Sequence, residues 1–295
     1  MTRRIQIGFL LFILLLAYAF SATQLRQSRT GFIADRFVEY TIPSQFLKPL
    51  SLEFKGLASD LLLVKFMTFI GARTEMLSDF SEEDWDSIRD TLKTITDLDP
   101  YYWDAYLFAQ VFLTWDETHY ADANDMLLKA KKYIPDNYRI PYYIGLNYYN
   151  FANDPANGAK YVMEASKLPG SPYYLASFAA RLSAYGSEHQ RGVIFLQEML
   201  KQTADPDIAG QYKLRIEALQ SMYYLEQTIR KFELEQKRLP SSLKELKTSG
   251  YIDEIPSDPY GGRFYMEKNG KVATTSKLVK RKRGEKPPAN KPMAE

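Results

Sequence analysis

The apolar positions of this chain fall mostly at helical spacing. They open with an unbroken apolar run, Ile7 to Phe20, behind Arg3 and Arg4. Basic residues before an apolar run predict a cytoplasmic start and export of the remainder of the chain. Counted on to Leu25, the segment approaches the roughly 20 residues of a bilayer-spanning helix. Ala17-Tyr18-Ala19 also fits the cleavage site of a removed signal peptide. Residues 1–25 are therefore expected to be a transmembrane anchor or a signal segment, and 26–50 a partly polar linker with Pro43 and Pro49.

A helical body is predicted over 51–210. Leu57 to Leu77 carries apolar residues at i, i+3 and i+4. Ser81 with Asp84 reads as a capping box for the next helix. Asp154-Pro155, Ser171-Pro172 and Asp205-Pro206 each pair an N-cap residue with proline at the first helical position. Gly186 ends one helix, and Ser187 with Gln190 caps the next. A long helix is predicted from about Ala209 to Lys237. Ser242 with Glu245 then starts a short helix ending at Gly250. Asp258-Pro259-Tyr260-Gly261-Gly262 reads as a tight turn, and Asn269-Gly270 as the turn of a β-hairpin. This segment, 211–276, gives way to a basic, Pro-rich stretch over 277–295 with no apolar period, expected to be disordered.

Composition narrows the function. A net charge of +2 argues against binding nucleic acid through bulk electrostatics. There is no Cys, hence no thiolate nucleophile and no Cys-ligated metal. The two histidines, His119 and His189, fall in different helix pairs and read as exposed polar residues. No phosphate loop, nucleophile elbow or zinc-protease motif occurs. No catalytic residue, metal or cofactor is expected. A carboxylate pair assembled by folding, acting on an envelope polymer, is the remaining enzymatic alternative.

The helix punctuation recurs. Pro100, Pro135, Pro169 and Pro206 stand 35, 34 and 37 residues apart. Ala123, Leu127, Ala130 and Pro135 have the spacing of a second helix and its exit. Gly145 and Tyr148 with Ala159, Val162, Ala165 and Pro169 form another copy. Ala180, Gly192, Leu196 and Pro206 form a looser one. On these residues the chain resembles the tetratricopeptide repeat family over about 55–210. The resemblance implies a mainly α fold, a solenoid of helix pairs whose first helices line a groove for a segment of another protein. With Gly145 at the close-packing position, Arg139, Tyr142, Leu146 and Tyr149 should face that groove. Setting Ala180 equivalent adds Tyr174, Ser177 and Arg181, and the earlier unit adds Tyr106 and Gln110. Tyrosine and arginine are frequent anchors of protein interfaces.

The C-terminal segment carries a second resemblance. Leu239, Pro240, Ser242, Leu243, Leu246, Tyr251, Ile252, Ile255, Pro256, Asp258, Pro259, Tyr260 and Gly261 match the order of residues in the soluble part of major pseudopilins of type II secretion systems. It implies a small α/β module, a helix, turn and hairpin. Tyr251, Pro256, Asp258, Pro259, Tyr260 and Gly261 would either dock to a secretion or pilus-like machine or simply close the fold. In pseudopilins the long helix begins at the membrane leader, whereas here the repeats intervene. Together these readings predict a scaffold tethered by its N-terminal helix to a bacterial inner membrane, with its body in the periplasm. Cleavage of the leader would release it there.

Overall fold

A computed structural model describes residues 13–26, 42–75 and 80–279. The chain is mainly α-helical, with one antiparallel pair of short strands among the described residues. It divides into two compact units, Met1–Pro135 and Asp136–Glu295.

The first unit contains α1 (13–26), α2 (Ser44–Leu50), α3 (Lys55–Glu75), α4 (Glu82–Leu98), α5 (Trp103–Leu113), a 3-10 turn (Glu117–His119) and α6 (Tyr120–Tyr133). No helix among the described residues is long and apolar enough to cross a membrane. The expected anchor falls in part on residues 1–12, outside the described residues. At the start of α4 the Ser81 hydroxyl accepts the Asp84 amide at 3.2 Å, and the Asp84 carboxylate accepts the Ser81 amide at 3.0 Å. Arg73 of α3 adds a 2.6 Å ion pair to the same carboxylate. Trp85, Ile88, Leu92 and Ile95 recur at helical spacing and are buried where α4 packs on α3 and α5. Lys129 of α6 meets Asp97 at 2.5 Å, and the Ser44 hydroxyl donates to the same group at 2.8 Å. Burial works to raise the Asp97 carboxyl, but the Lys129 and Ser44 bonds outweigh it and hold the group below its ordinary value.

The second unit contains α7 (Arg139–Asn150), α8 (Pro155–Ser166), α9 (Tyr174–Tyr185), α10 (His189–Gln202), α11 (Pro206–Gln236), α12 (Leu243–Thr248), β1 (Phe264–Met266) and β2 (Val272–Thr274). From α7 to α11 each helix packs on the next, and α9 also reaches α11. Gly145 sets the closest crossing. A Cβ there would stand 2.7 Å from Val162 Cγ2 and 2.8 Å from the Gly158 carbonyl oxygen. The helix starts at Asp154 and Asp205 are capped by those carboxylates, which accept amides one turn ahead. β1 and β2 pair with Phe264 opposite Thr274 and Met266 opposite Val272, joined across Asn269-Gly270. Gly270 takes φ +81°, which suits a residue without Cβ.

Several expected boundaries shift. Pro172 sits in the turn before α9, where its carbonyl accepts the Leu175 amide at 3.0 Å, so the helix starts at Tyr174. Ser187 adopts φ +58° in the tight link from α9 and caps nothing; Glu188 holds the N-cap position of α10. Ser242 makes no side-chain cap for α12, and the Glu245 carboxylate accepts the Ser241 amide at 2.5 Å and pairs with Arg238. The expected tail begins too early at 277: Leu278 is buried in the core of this unit. Residues 280–295 lie outside the described residues.

Candidate functional site

Tyr106 and Gln110 do not face a groove. They lie with Ala105, Ala109 and Leu113 on the buried side of α5. Tyr106 is fully buried, and its hydroxyl donates to the Pro100 carbonyl at 3.2 Å. Burial pushes its phenol up, which matches a core tyrosine. The register expected for α5 is thus turned: the side assigned to the groove is the side packed into the core.

In the second unit the expected residues do share a surface. Tyr142, Leu146 and Tyr149 of α7 are half-buried, as are Ser177 and Arg181 of α9, while Arg139 and Tyr174 are exposed. Burial, then the neighbouring Tyr174 hydroxyl, pushes the Tyr142 phenol up. Tyr149 meets Phe178 edge-on with ring centroids 6.4 Å apart, and stacks near Tyr185 at 6.2 Å. Phe178 in turn lies under the Arg181 guanidinium at 5.2 Å. Aromatic rings therefore run from α7 across α9 to an arginine.

Beyond Arg181 the surface sinks into a cavity of about 740 Å³. Tyr174, Ser177 and Arg181 form its α9 wall, Leu214 and Arg215 its α11 wall, and Tyr260 and Leu278 come from the C-terminal segment. Arg215 is buried and packs over the Tyr260 ring at 4.8 Å from the centroid. Burial disfavours its charge and pushes the group down; Tyr260 opposes this, and the neighbouring cation Arg181 adds to it. Arg215 and Phe178 are not among the residues that the sequence pattern singles out. The signal for Arg215 is a lone arginine between Leu214 and Ile216 in an apolar stripe.

The C-terminal residues divide by role. Asp258 is buried and closes its turn, accepting the Tyr260 amide at 2.9 Å and the Thr274 hydroxyl. It is thus no exposed docking contact. Gly261 sits at φ +79° in that turn. Pro256, Pro259 and Tyr260 are half-buried. The Tyr251 hydroxyl donates to Glu235 at 2.6 Å, and its ring packs on Phe232.

Neither histidine is an exposed polar residue. His119 stacks on Trp85 with centroids 4.9 Å apart. His189 is buried, with Nε2 3.1 Å from the Glu226 carboxylate. Among the described residues no group of three or more His, Cys, Asp or Glu is arranged to hold a metal ion. The chain matches no protein-family model, no curated protein and no solved structure.

Proposed function

We propose that this chain is a protein-interaction scaffold tethered to a bacterial inner membrane, with its body on the periplasmic side. In this reading α7 to α11 act as a tetratricopeptide-like row of helix pairs, and their shared face holds an extended segment of a partner protein. The observation that carries the reading is the aromatic run on α7 and α9, from Tyr142 and Tyr149 through Tyr174 and Phe178 to Arg181. Tyrosine rings bring large contact area at low entropic cost, and arginine adds directional donors, which is why both recur at interface centres. The C-terminal helix and hairpin are better read as closing this unit than as docking to a secretion machine, because their apolar side packs on α11.

The test uses photocrosslinking in intact cells. p-Benzoylphenylalanine replaces Tyr142 or Tyr174 in the full chain, and exposed Glu198 serves as the control position. Discrete adducts of the same partner from both tyrosine positions, absent at Glu198, are the expected result. No adduct, or the same adducts from the control, overturns the groove.

A further inference from the structure

We propose that Arg181 and Arg215 form a binding site for a phosphate monoester in the cavity between α9, α11 and the C-terminal segment. Arg215 is only 7% exposed, yet its Nε and Nη1 have no hydrogen-bond partner, and neither does the buried Nε of Arg181. Both side chains line the same cavity. Two guanidinium groups so placed, one of them nearly removed from water, repel each other and leave donors unsatisfied. That arrangement is costly without a counter-charge. Arg73, a partly buried arginine of the first unit, also has a buried Nε without a partner, but its charge is met by Asp84 at 2.6 Å.

The chemistry of the ligand is set by the donors. Three orphan nitrogens on two cations, with four N–H bonds between them, match a group carrying close to two negative charges and three acceptor oxygens, which is a phosphate monoester. A single carboxylate would be served by one guanidinium fork and would leave the second cation uncompensated. The α11 N-terminus does not compete for the anion, because Asp205 already accepts the Asp207 and Ile208 amides at 2.8 and 3.2 Å. Asp207, the acid on the cavity lining, is exposed at the first turn. The remaining wall of Tyr174, Phe178, Leu214 and Leu278 is suited to the carbon portion of an ester. This site shares Tyr174, Phe178 and Arg181 with the partner-segment face but rests on a different observation, the orphan donors of Arg215 and Arg181.

The experiment is thermal unfolding and calorimetric titration of the full chain with inorganic phosphate, glycerol phosphate, succinate and short-chain phosphatidic acid. The phosphate probes should bind and raise Tm by mass action. Arg215→Met should weaken that binding by about tenfold or more, the loss of a charge-assisted bond. The same variant should raise the Tm of the ligand-free chain, since it removes an uncompensated buried charge. Arg181→Gln, at the half-buried cation, should weaken binding with little change in folding and covers the case in which Arg215→Met fails to fold. Phosphatidic acid binding more tightly than glycerol phosphate assigns a lipid headgroup; equal affinities assign a soluble ester. Succinate binding as well as phosphate overturns the phosphate assignment. Phosphate binding unchanged in Arg181→Gln, or unchanged in a folded Arg215→Met, overturns the site. Crosslinks at Tyr142 together with no phosphate binding would leave the scaffold reading intact and remove this one.

Discussion

The Glu226 carboxylate lies 3.1 Å from Nε2 of the buried His189 and accepts the amide of Val272 at 3.0 Å. One side chain of α11 thus ties α10 on one side to strand β2 on the other. Glu226→Ala leaves the buried Val272 amide without its acceptor and takes away the carboxylate that faces the buried imidazole. A loss of about 2–4 kcal/mol is expected, measured by urea unfolding. Glu226→Gln keeps one acceptor oxygen and should lose less. An alanine variant as stable as the parent would show that β2 is held by its apolar side chains alone.

Stability should fall on acidification. Burial works to raise the Glu226 carboxyl, but the bonds from His189 and Val272 prevail and hold it below its ordinary 4.5. Asp97 is likewise held below 3.8, against burial, by Lys129 and Ser44. Half-buried Glu245 is drawn down to about 2 by Arg238 and the Ser241 amide. A carboxyl with a depressed folded pKa stabilises above its unfolded value and loses that contribution as pH falls through the folded one. Tm should therefore be insensitive to these groups above about pH 5 and drop steadily below about pH 4.5. Glu226→Gln should make the drop shallower. An equal slope in both proteins would remove Glu226 from the account.

The glycines of the second unit give an ordered series. Gly145→Ala forces a methyl against Val162 and the Gly158 carbonyl at 2.7 and 2.8 Å, and the latter is backbone that cannot turn aside. A cost of about 1–3 kcal/mol is expected. Gly158→Ala meets the Gly145 carbonyl at 3.0 Å and should cost less. Gly210→Ala, on α11 with nothing within 4 Å, should stabilise by about 0.5–1 kcal/mol. Thermal melts of the three variants settle the order, and a neutral Gly145→Ala would mean the helices can separate without penalty.

Sequence made some of this arrangement legible and hid the rest for identifiable reasons. The capping box at Ser81 and Asp84 and the caps at Asp154 and Asp205 are local signals, decided within one turn, and they form. Gly145 is legible because a glycine amid large apolar residues has few uses besides a close crossing. Tyr106 is not, because its helix offers no such anchor for the register, and a tyrosine can serve equally in a core or a groove. Glu245 reads as a capping partner of Ser242 but is drawn away by Arg238, seven residues earlier, and by the Ser241 amide. His189 and Arg215 are invisible as buried groups because their surroundings come from segments 37 and 45 residues away, Glu226 and Tyr260.

The tether reading leads to a prediction about α3. Its inner face, Ser59, Leu63, Phe66 and Ile70, is buried. Its outer face repeats Leu57, Leu61 and Val64 at 57%, 62% and 62% exposed, and continues through Thr68 and Gly71 without a charge. An apolar stripe at i, i+4 and i+7 facing outward is costly in water and favourable against acyl chains. If the N-terminal segment anchors the chain, this stripe is the face of the first unit best suited to lie on the same bilayer. The absence of cysteine allows a single nitroxide label to be placed at Leu61 or Val64 through an introduced cysteine. In vesicles carrying the full chain, collisions at both positions should favour lipid-soluble oxygen over an aqueous nickel chelate, with the reverse at exposed Tyr101. Aqueous accessibility at Leu61 equal to that at Tyr101 would place α3 away from the lipid and leave its apolar face to some other contact.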